Sequence, residues 1–138
     1  MHGLFAWPIP TELYAGWVRV LSDRRLGYRV PVDSPEAPVS ERFIGHFPRG
    51  LDLYLPVEDG LAELHVSFVR NDRGEYSVRG LSQFPTTVRR FLESVDLHYD
   101  PRHPSPLETE LSSGDRVGLS DGVHTTWVEF VMLPREER

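Results

Sequence analysis

The densest set of side chains that could do chemistry lies between positions 96 and 103. Asp96, His98, Asp100 and His103 are close enough in sequence for imidazole and carboxylate groups to hold a divalent ion. Prolines at positions 101 and 104 mark this stretch as a loop, and no His-Glu-x-x-His helix supports it. We therefore interpret the set as a loop that contains histidines, and we predict no metal site and no cofactor.

The sequence lacks the usual motifs of nucleophilic catalysis. Ser, His and Asp are all present, but no Gly-x-Ser-x-Gly elbow and no glycine-rich phosphate loop before a helix occurs. All 15 basic residues are arginine, which excludes a lysine Schiff base, and the absence of cysteine excludes thiol catalysis and disulfides. We predict no catalytic residue and no enzymatic activity. A metal-dependent enzyme is the remoter alternative.

Amino-acid composition and net charge indicate which kinds of partner this protein does not bind. A chain of 138 residues with 39% hydrophobic and 26% charged residues can form one domain with one core. A formal net charge of -6 argues against a general nucleic-acid binder. No apolar run approaches the roughly 20 residues of a membrane helix, and the start of the chain lacks the basic residues of a signal peptide. We expect a cytoplasmic protein with no nucleic-acid or membrane partner.

Secondary-structure elements must position any site. In this sequence most of them are short runs of alternating apolar and polar residues, separated by turn residues. They predict strands at 17–21, 28–32, 51–55, 64–70, 75–79, 116–119 and 124–133. Asn71 to Gly74 and Ser120 to Gly122 supply hairpin turns. Val128, Phe130 and Met132 should face one way along the last strand. Many short strands at such spacing indicate an antiparallel sandwich or barrel.

Two stretches leave the secondary structure open. Residues 86–95 carry Val88, Phe91, Leu92 and Val95 at helical spacing, but the β-branched start makes a strand equally compatible. Between positions 92 and 106 we expect an added short helix or an irregular loop.

The first residues form an apolar arm before the predicted sheet. We divide the chain into an arm at 1–16, a β-sandwich domain at 17–133 and a charged tail at 134–138. The arm includes Phe5 and Trp7, whose apolar surface is unfavourable in water. It should be ordered, bury Trp7, and pack on its own sandwich, on a second copy in a homodimer, or on a partner.

The order of the motifs resembles that of a forkhead-associated (FHA) domain. The family carries an Ile-Gly-Arg segment, a strand ending in Leu-Pro, a Val-Ser-Arg-x-His-Ala segment, an Asn-Gly-Thr segment and a late Leu-x-x-Gly-Asp-x-Ile-x-Leu. The matching segments here lie at 43–46, 51–56, 61–66, 84–86 and 111–119, within a resemblance that covers about 17–133. The resemblance implies an all-β, antiparallel sandwich of about eleven strands. It also implies binding of phosphothreonine peptides by loops at one end.

The residues at the implied binding positions depart from the family pattern. His46 stands where the family has its phosphate-binding arginine, and Ala62 stands where it has a serine that bonds phosphate. Glu63 stands where a basic residue is common, so its carboxylate would repel phosphate. His65 and Thr86 match, and in the family these residues mainly support the framework of the site. Phe84 stands near the Asn-Gly-Thr segment, whose asparagine and glycine are absent.

These departures predict a degenerate FHA domain that keeps its scaffold and has lost its usual ligand. We expect a protein-interaction module, whose partner need not be phosphorylated, with a site formed by His46, Arg49, Ala62, Glu63, His65, Phe84 and Thr86. The alternative is a phosphothreonine reader with a rebuilt site, in which Arg42, Arg49 or Arg89 replaces the missing donor. Arg89 and Arg90 could form a basic rim, although a solvated face is the simpler interpretation.

Overall fold

The computed structural model describes residues 14–21, 28–33, 39–45, 53–54, 65–97, 102 and 108–134. These parts of the chain contain eleven strands, as the all-β prediction required. The strands are β1 Tyr14–Val20, β2 Arg29–Pro31, β3 Ser40–Gly45, β4 Leu53–Tyr54, β5 Val66–Arg70, β6 Tyr76–Gly80, β7 Thr86–Arg89, β8 Ser94–Leu97, β9 Glu108–Glu110, β10 Arg116–Ser120 and β11 Thr125–Pro134.

The strands form two sheets. One sheet has six strands in the order β2-β1-β11-β10-β7-β8, and the other has five in the order β4-β3-β5-β6-β9. Neighbouring strands in the described residues run antiparallel, except for the parallel pair β3 and β4. No helix in this part of the chain is long and apolar enough to cross a membrane.

The core lies between the two sheets and follows the predicted alternation. Phe130 and Val128 of β11 are buried, and Met132 packs against the same core. Phe68 of β5 and Val78 of β6 face them from the five-stranded sheet with no exposed surface. Successive strand residues point to opposite faces, so each of these strands contributes every second side chain.

Both predicted hairpin turns are confirmed. Gly74 ends the β5–β6 turn with a φ of 78°, in the left-handed region that glycine adopts without steric cost. Asn71 fixes this turn, because its Oδ1 accepts the backbone N–H groups of Arg73 and Glu75, each at 2.9 Å. The β10–β11 turn contains Gly122, with a φ of 95°.

The open choice over residues 86–95 is resolved in favour of strands. β7 and β8 form a hairpin in which Val88 pairs with Val95, and the turn between them holds Phe91 and Leu92, which are 94% and 86% exposed. Phe91 and Leu92 form the two-residue turn between the strands that carry Val88 and Val95. Their position in this turn gives the four apolar residues the spacing of a helix. The short helix or irregular loop expected after position 92 is wrong for 94–97, where β8 lies.

The strands extend past the predicted domain boundaries at both ends. β1 begins at Tyr14, so three residues assigned to the arm belong to the six-stranded sheet. Pro134, assigned to the tail, is the last residue of β11. Residues 1–13, including Trp7, and 135–138 lie outside the described residues, so the proposed packing of the arm stays a prediction.

A buried hydrogen-bond network joins the two sheets where β5 ends, which we call the basal end. Asp33 is 7% exposed there, and its Oδ1 accepts the N–H of Gly16 at 3.3 Å and the hydroxyl of Tyr76. Nε of Arg70 lies 3.7 Å from Oδ2 of the same carboxylate. Burial, together with the hydrogen bond to Asp33, raises the pKa of Tyr76 to about 12. A carboxylate thus ties strands of both sheets together.

A second network at the basal end corrects the interpretation of Arg90 as part of a solvated face. Nε of Arg90 donates to Oδ2 of Asp115 at 3.2 Å, and Nη2 donates to Oγ1 of Thr109 at 3.1 Å and to the carbonyl of Glu110. Oδ2 of Asp115 also accepts the N–H of Ser112 at 2.9 Å. The Gly-Asp turn near the end of the chain therefore anchors Arg90 and holds β7 to β9.

Candidate functional site

The other end of the sandwich, which we call the apical end, is organised around His65. This end contains the end of β3, the start of β5, the loop at 81–85 and the turn at 121–124. His65 has no exposed surface; its backbone N–H donates to the carbonyl of Ile44 at 2.9 Å, and its carbonyl accepts the N–H of Leu81 at 3.0 Å. Its Nε2 lies 3.1 Å from the carbonyl oxygen of Pro85. A carbonyl only accepts, so this Nε2 carries the proton.

The environment of His65 favours the neutral imidazole. Burial lowers its pKa from the ordinary 6.5, against the opposing effects of the Pro85 carbonyl and the negative charge of Asp121. A neutral ring with its proton on Nε2 is the form that hydrogen-bonds to Pro85 without placing a charge in the core. His65 therefore braces the 81–85 loop from below and is not itself available to a ligand.

The 81–85 loop presents an aromatic side chain. Phe84 is 39% exposed, and its ring centroid lies 6.3 Å from that of His65 in an edge-on arrangement. The N–H of Phe84 donates to Oγ of Ser82 at 2.9 Å. Thr86, directly after the loop, is buried, and its Oγ1 has no hydrogen-bond partner among the described residues. The framework therefore fixes the loop and leaves part of the Phe84 ring open to solvent.

The turn at 121–124 lies beside this loop, because the N–H of Ser120 donates to the same Pro85 carbonyl at 3.2 Å. Oδ1 of Asp121 accepts the backbone N–H groups of His124 at 2.9 Å and Val123 at 2.8 Å, and these bonds lower the pKa of Asp121. Val123 is 80% exposed. This side of the apical surface is apolar and acidic.

The turn at 121–124 is not among the predicted site residues. The available signal was the Asp121-Gly122 dipeptide between the last two strands, which predicts a hairpin turn. Its position beside Pro85 depends on the pairing of β10 with β7. That pairing joins segments about 30 residues apart and leaves no mark in local sequence.

Known structures share this architecture. A crystal structure of the FHA domain of the CT664 protein from Chlamydia trachomatis matches with a TM-score of 0.60 and 16% identity, over 85% of this chain and 96% of that one. The chain has the FHA fold. No protein-family model matches its sequence, and no curated protein shows significant sequence similarity to it.

Two further FHA structures give the same result. An engineered FHA with a Myc-pTBD peptide matches with a TM-score of 0.63 and 12% identity, over 86% of this chain and 91% of that one. The N-terminal FHA domain of Rad53p from S. cerevisiae, in complex with a phosphothreonine peptide, matches with a TM-score of 0.64 and 13% identity, over 86% and 94%. At such identities the likeness concerns the FHA fold and not the residues of a site.

The structure brings together the predicted site residues that it describes. His65, Phe84 and Thr86 all lie at the apical end of the FHA fold, linked through the Pro85 carbonyl and the ring contact. The remaining predicted site residues lie outside the described residues: His46, Arg49, Ala62 and Glu63. Their convergence with His65 stays a prediction.

Two of the three arginines considered as replacement phosphate donors lie in other parts of the FHA fold. Nε of Arg42 donates to the carbonyl of Pro31 at 3.0 Å, and its Nη2 donates to the carbonyl of Asp33 at 3.3 Å. Arg89 lies on the outer face of the six-stranded sheet, with its guanidinium carbon 4.9 Å from the centre of the Trp127 ring. Arg42 is thus bound to carbonyls of the chain and Arg89 lies on a sheet face, which leaves Arg49 from that set as the candidate in an apical loop.

Three of the four candidate metal ligands lie outside the described residues. His98, Asp100 and His103 lie outside the described residues. Asp96 is on β8, where its Oδ1 accepts the hydroxyl of Thr87 at 3.0 Å. Within the described ranges no group of three or more His, Asp or Glu side chains could hold a metal ion.

Proposed function

We propose that this protein is a non-enzymatic protein-interaction module that binds its partner through the apical end and does not require phosphate on that partner. The observation that carries the proposal is that the described apical surface is apolar and acidic. It exposes Phe84 and Val123, and it holds the Asp121 carboxylate, whose pKa is lowered. Burying apolar side chains favours binding without any charge on the ligand.

Electrostatics supports independence from phosphate. The side chains of the described loop at 81–85 and turn at 121–124 include no lysine or arginine, and Asp121 adds a negative charge. A phosphothreonine carries a charge of about -1.5 to -2 at neutral pH and requires cationic or N–H donors. The predicted neighbours Ala62 and Glu63 would add no donor and a second negative charge. This surface is better matched to an apolar or basic segment than to a phosphate.

The fold supports peptide recognition at this end. Two of the similar structures are described with bound peptides, one of them a phosphothreonine peptide. The apical loops are the part of the FHA fold that the family resemblance links to ligands. We infer that this chain uses the same loops with altered chemistry.

A second candidate function is a phosphothreonine reader with a rebuilt site, which the likeness to the Rad53p complex favours. Since Arg42 is bound to backbone carbonyls and Arg89 lies on the outer face of the six-stranded sheet, this candidate needs Arg49 as its main cationic donor. It predicts that Arg49→Ala abolishes binding to phosphothreonine peptides.

Affinity capture with matched phenylalanine variants tests the proposal. The wild-type protein, Phe84→Ala and the control Phe91→Ala are each used to capture partners from source-cell extract, with and without phosphatase treatment. Phe91 is an exposed phenylalanine at the basal end, so it controls for loss of an aromatic surface. We expect wild type and Phe91→Ala to retain the same partners after phosphatase, and Phe84→Ala to lose them. Partners lost after phosphatase and after Arg49→Ala would support the phosphothreonine reader instead.

A further inference from the structure

One row of side chains crosses the outer face of the six-stranded sheet. Directly paired residues of neighbouring strands share a face, so the register of each strand pair defines the row. From β2 to β7 it consists of Arg29, Arg19, Glu129, Arg116 and Arg89. We call it the arginine row. The strand residues on either side of it, such as Val18 and Val117, point into the core with no exposed surface.

The arginine row is strongly positive in an acidic protein. Four guanidinium groups and one carboxylate leave it with a formal charge of +3, whereas the whole chain carries -6. Glu129 is already engaged, because Nε of Arg19 donates to its Oε1 at 2.8 Å and Nε of Arg116 lies 3.9 Å from its Oε2. Arg116 and Arg89 are directly opposite each other, an arrangement that is unfavourable for like charges unless an anion lies near them.

Two tryptophans hold the guanidinium groups near the ends of the row against the sheet. The guanidinium carbon of Arg29 lies 4.9 Å from the Trp17 ring centre, and that of Arg89 lies 4.9 Å from the Trp127 ring centre. Such cation–π contacts position an arginine without neutralising it. Among the described residues, no carboxylate forms an ion pair with Arg89, whose guanidinium lies over the Trp127 ring and keeps its charge.

A cavity of about 280 Å³ lies beside these groups and is lined by Leu21, Arg89, Arg116, Thr125 and Trp127. The Trp127 ring lies flat over Gly118, where a Cβ atom would come within 2.8 Å of its Cη2. The absence of a side chain at Gly118 thus lets the ring form one wall of the cavity. Two arginines and an aromatic wall are suited to a carboxylate group carried on a short aliphatic stem.

We propose that the arginine row is a docking surface for an extended acidic segment of a partner protein, with one carboxylate between Arg89 and Arg116. The row spans four strand spacings, or about 19 Å, which an extended segment of about six residues covers. A short segment meets only the positive row, whereas a long polyanion such as single-stranded nucleic acid also meets the net negative charge of the molecule. The row lies on the sheet face and not on the apical loops, so the proposal is independent of the apical site.

Fluorescence anisotropy with a labelled peptide of about ten glutamates tests the proposal on the full chain. Arg89→Gln should weaken binding by about two- to fivefold, the range expected for one exposed ion pair. The control Arg73→Gln removes the same charge from the β5–β6 turn, where the Arg73 side chain is 78% exposed and far from the row, and should leave the affinity unchanged. Binding should also weaken when NaCl is raised from about 50 to about 500 mM.

Three results would overturn the proposal. One is the absence of salt-sensitive binding by the glutamate peptide, and another is an equal loss in Arg89→Gln and Arg73→Gln. The third is an oligothymidylate of equal charge that binds more tightly and loses affinity in Arg89→Gln, which would identify nucleic acid as the ligand. Thermal melting checks that each variant is folded. If Arg89→Gln is not, Arg29→Gln at the other end of the row should give the same loss of affinity.

Discussion

The basal and apical ends of the sandwich differ in how their polar groups are satisfied. At the basal end, the buried Asp33 carboxylate accepts hydrogen bonds from Gly16 and Tyr76, and it therefore links both sheets. At the apical end, one neutral histidine, His65, holds the loop at 81–85 by two hydrogen bonds, from its ring to the Pro85 carbonyl and from the Leu81 N–H to its own carbonyl. The hydroxyl of Thr86 beside it has no partner among the described residues.

This difference distinguishes a part of the molecule that stabilises the fold from the part that we propose binds a partner. Buried charged groups are costly unless they are fully hydrogen-bonded, so the basal network depends on each of its members. The described apical segments at 81–85 and 121–124 carry exposed apolar side chains, Phe84 and Val123, above the buried His65. Substitutions at the basal end should therefore change stability most, and those at the apical end should mainly change binding.

The largest expected effect comes from Gly16→Ala at the basal end. A Cβ atom there would lie 2.5 Å from Cε1 of Tyr76 and 2.8 Å from Cε1 of Phe130, both buried rings. We expect the free energy of unfolding in urea to fall by about 2–3 kcal/mol, as for other overpacked cores. Gly118→Ala is the matched control, because the Trp127 ring over Gly118 lies on the outer face and can shift, at a cost of about 1 kcal/mol or less. Equal losses in the two variants would contradict this.

Tyr76→Phe should have the next largest effect. It removes the hydroxyl that donates to the buried Asp33 carboxylate while keeping the ring. The free energy of unfolding should fall by about 1–3 kcal/mol, measured by urea denaturation. Tyr28→Phe removes a hydroxyl from a side chain that is 57% exposed, and it should change stability by about 0.5 kcal/mol or less. A Tyr76→Phe variant as stable as Tyr28→Phe would show that the basal network is not a stabilising unit.

Acidification should reveal the smaller contribution of His65. Burial lowers the pKa of His65 in the folded protein below its ordinary value of 6.5, so the unfolded chain binds this proton more readily. The contribution is fully present above about pH 6.5 and is lost as the pH falls towards the folded pKa. We expect the melting temperature of wild type to fall more steeply than that of His65→Gln, whose amide can still donate to Pro85. If the melting temperatures of wild type and His65→Gln fell in parallel from about pH 7.5 to 5, this contribution of His65 would be contradicted.

The smallest effect is expected from Thr86→Val. The change replaces a buried hydroxyl that has no partner among the described residues with a methyl group of similar shape. Stability should be unchanged or rise by up to about 1 kcal/mol, because an unsatisfied polar group is removed from the core. Ser67→Ala is the contrasting control: the Ser67 hydroxyl donates to Oε2 of Glu41 at 2.5 Å, and its loss should cost about 1 kcal/mol. A clear destabilisation by Thr86→Val would mean that its hydroxyl has a partner.

Local chemistry was enough to predict much of the fold. Alternating apolar residues around Val78 and Phe130 predicted the inward faces of β6 and β11, because side chains alternate along any strand. Asn71 and Gly74 predicted a turn, because both favour the local backbone geometry that a hairpin requires. Neither prediction depended on a distant part of the chain.

The site was predictable only in part. Matching short motifs predicts that His65, Phe84 and Thr86 lie in one region, because the order of strands in a known fold constrains which loops meet. The contribution of Asp121 and Val123 was missed. Their turn joins the apical end through the pairing of β10 with β7, which depends on the packing of the whole sheet.

Local residue patterns are enough to specify which residues alternate, where the chain turns, and that the protein has the all-β character of an FHA sandwich. The roles of the arginines depend on contacts between distant parts of the chain. Arg90 is bound by Asp115, 25 residues away, and Arg89 is aligned with Arg116 across two strands. Strand propensity and turn chemistry act over a few residues, whereas the register between distant strands is set by how their buried faces fit together. Because of that register, Arg90 anchors strands at the basal end, whereas Arg89 is part of a positive surface.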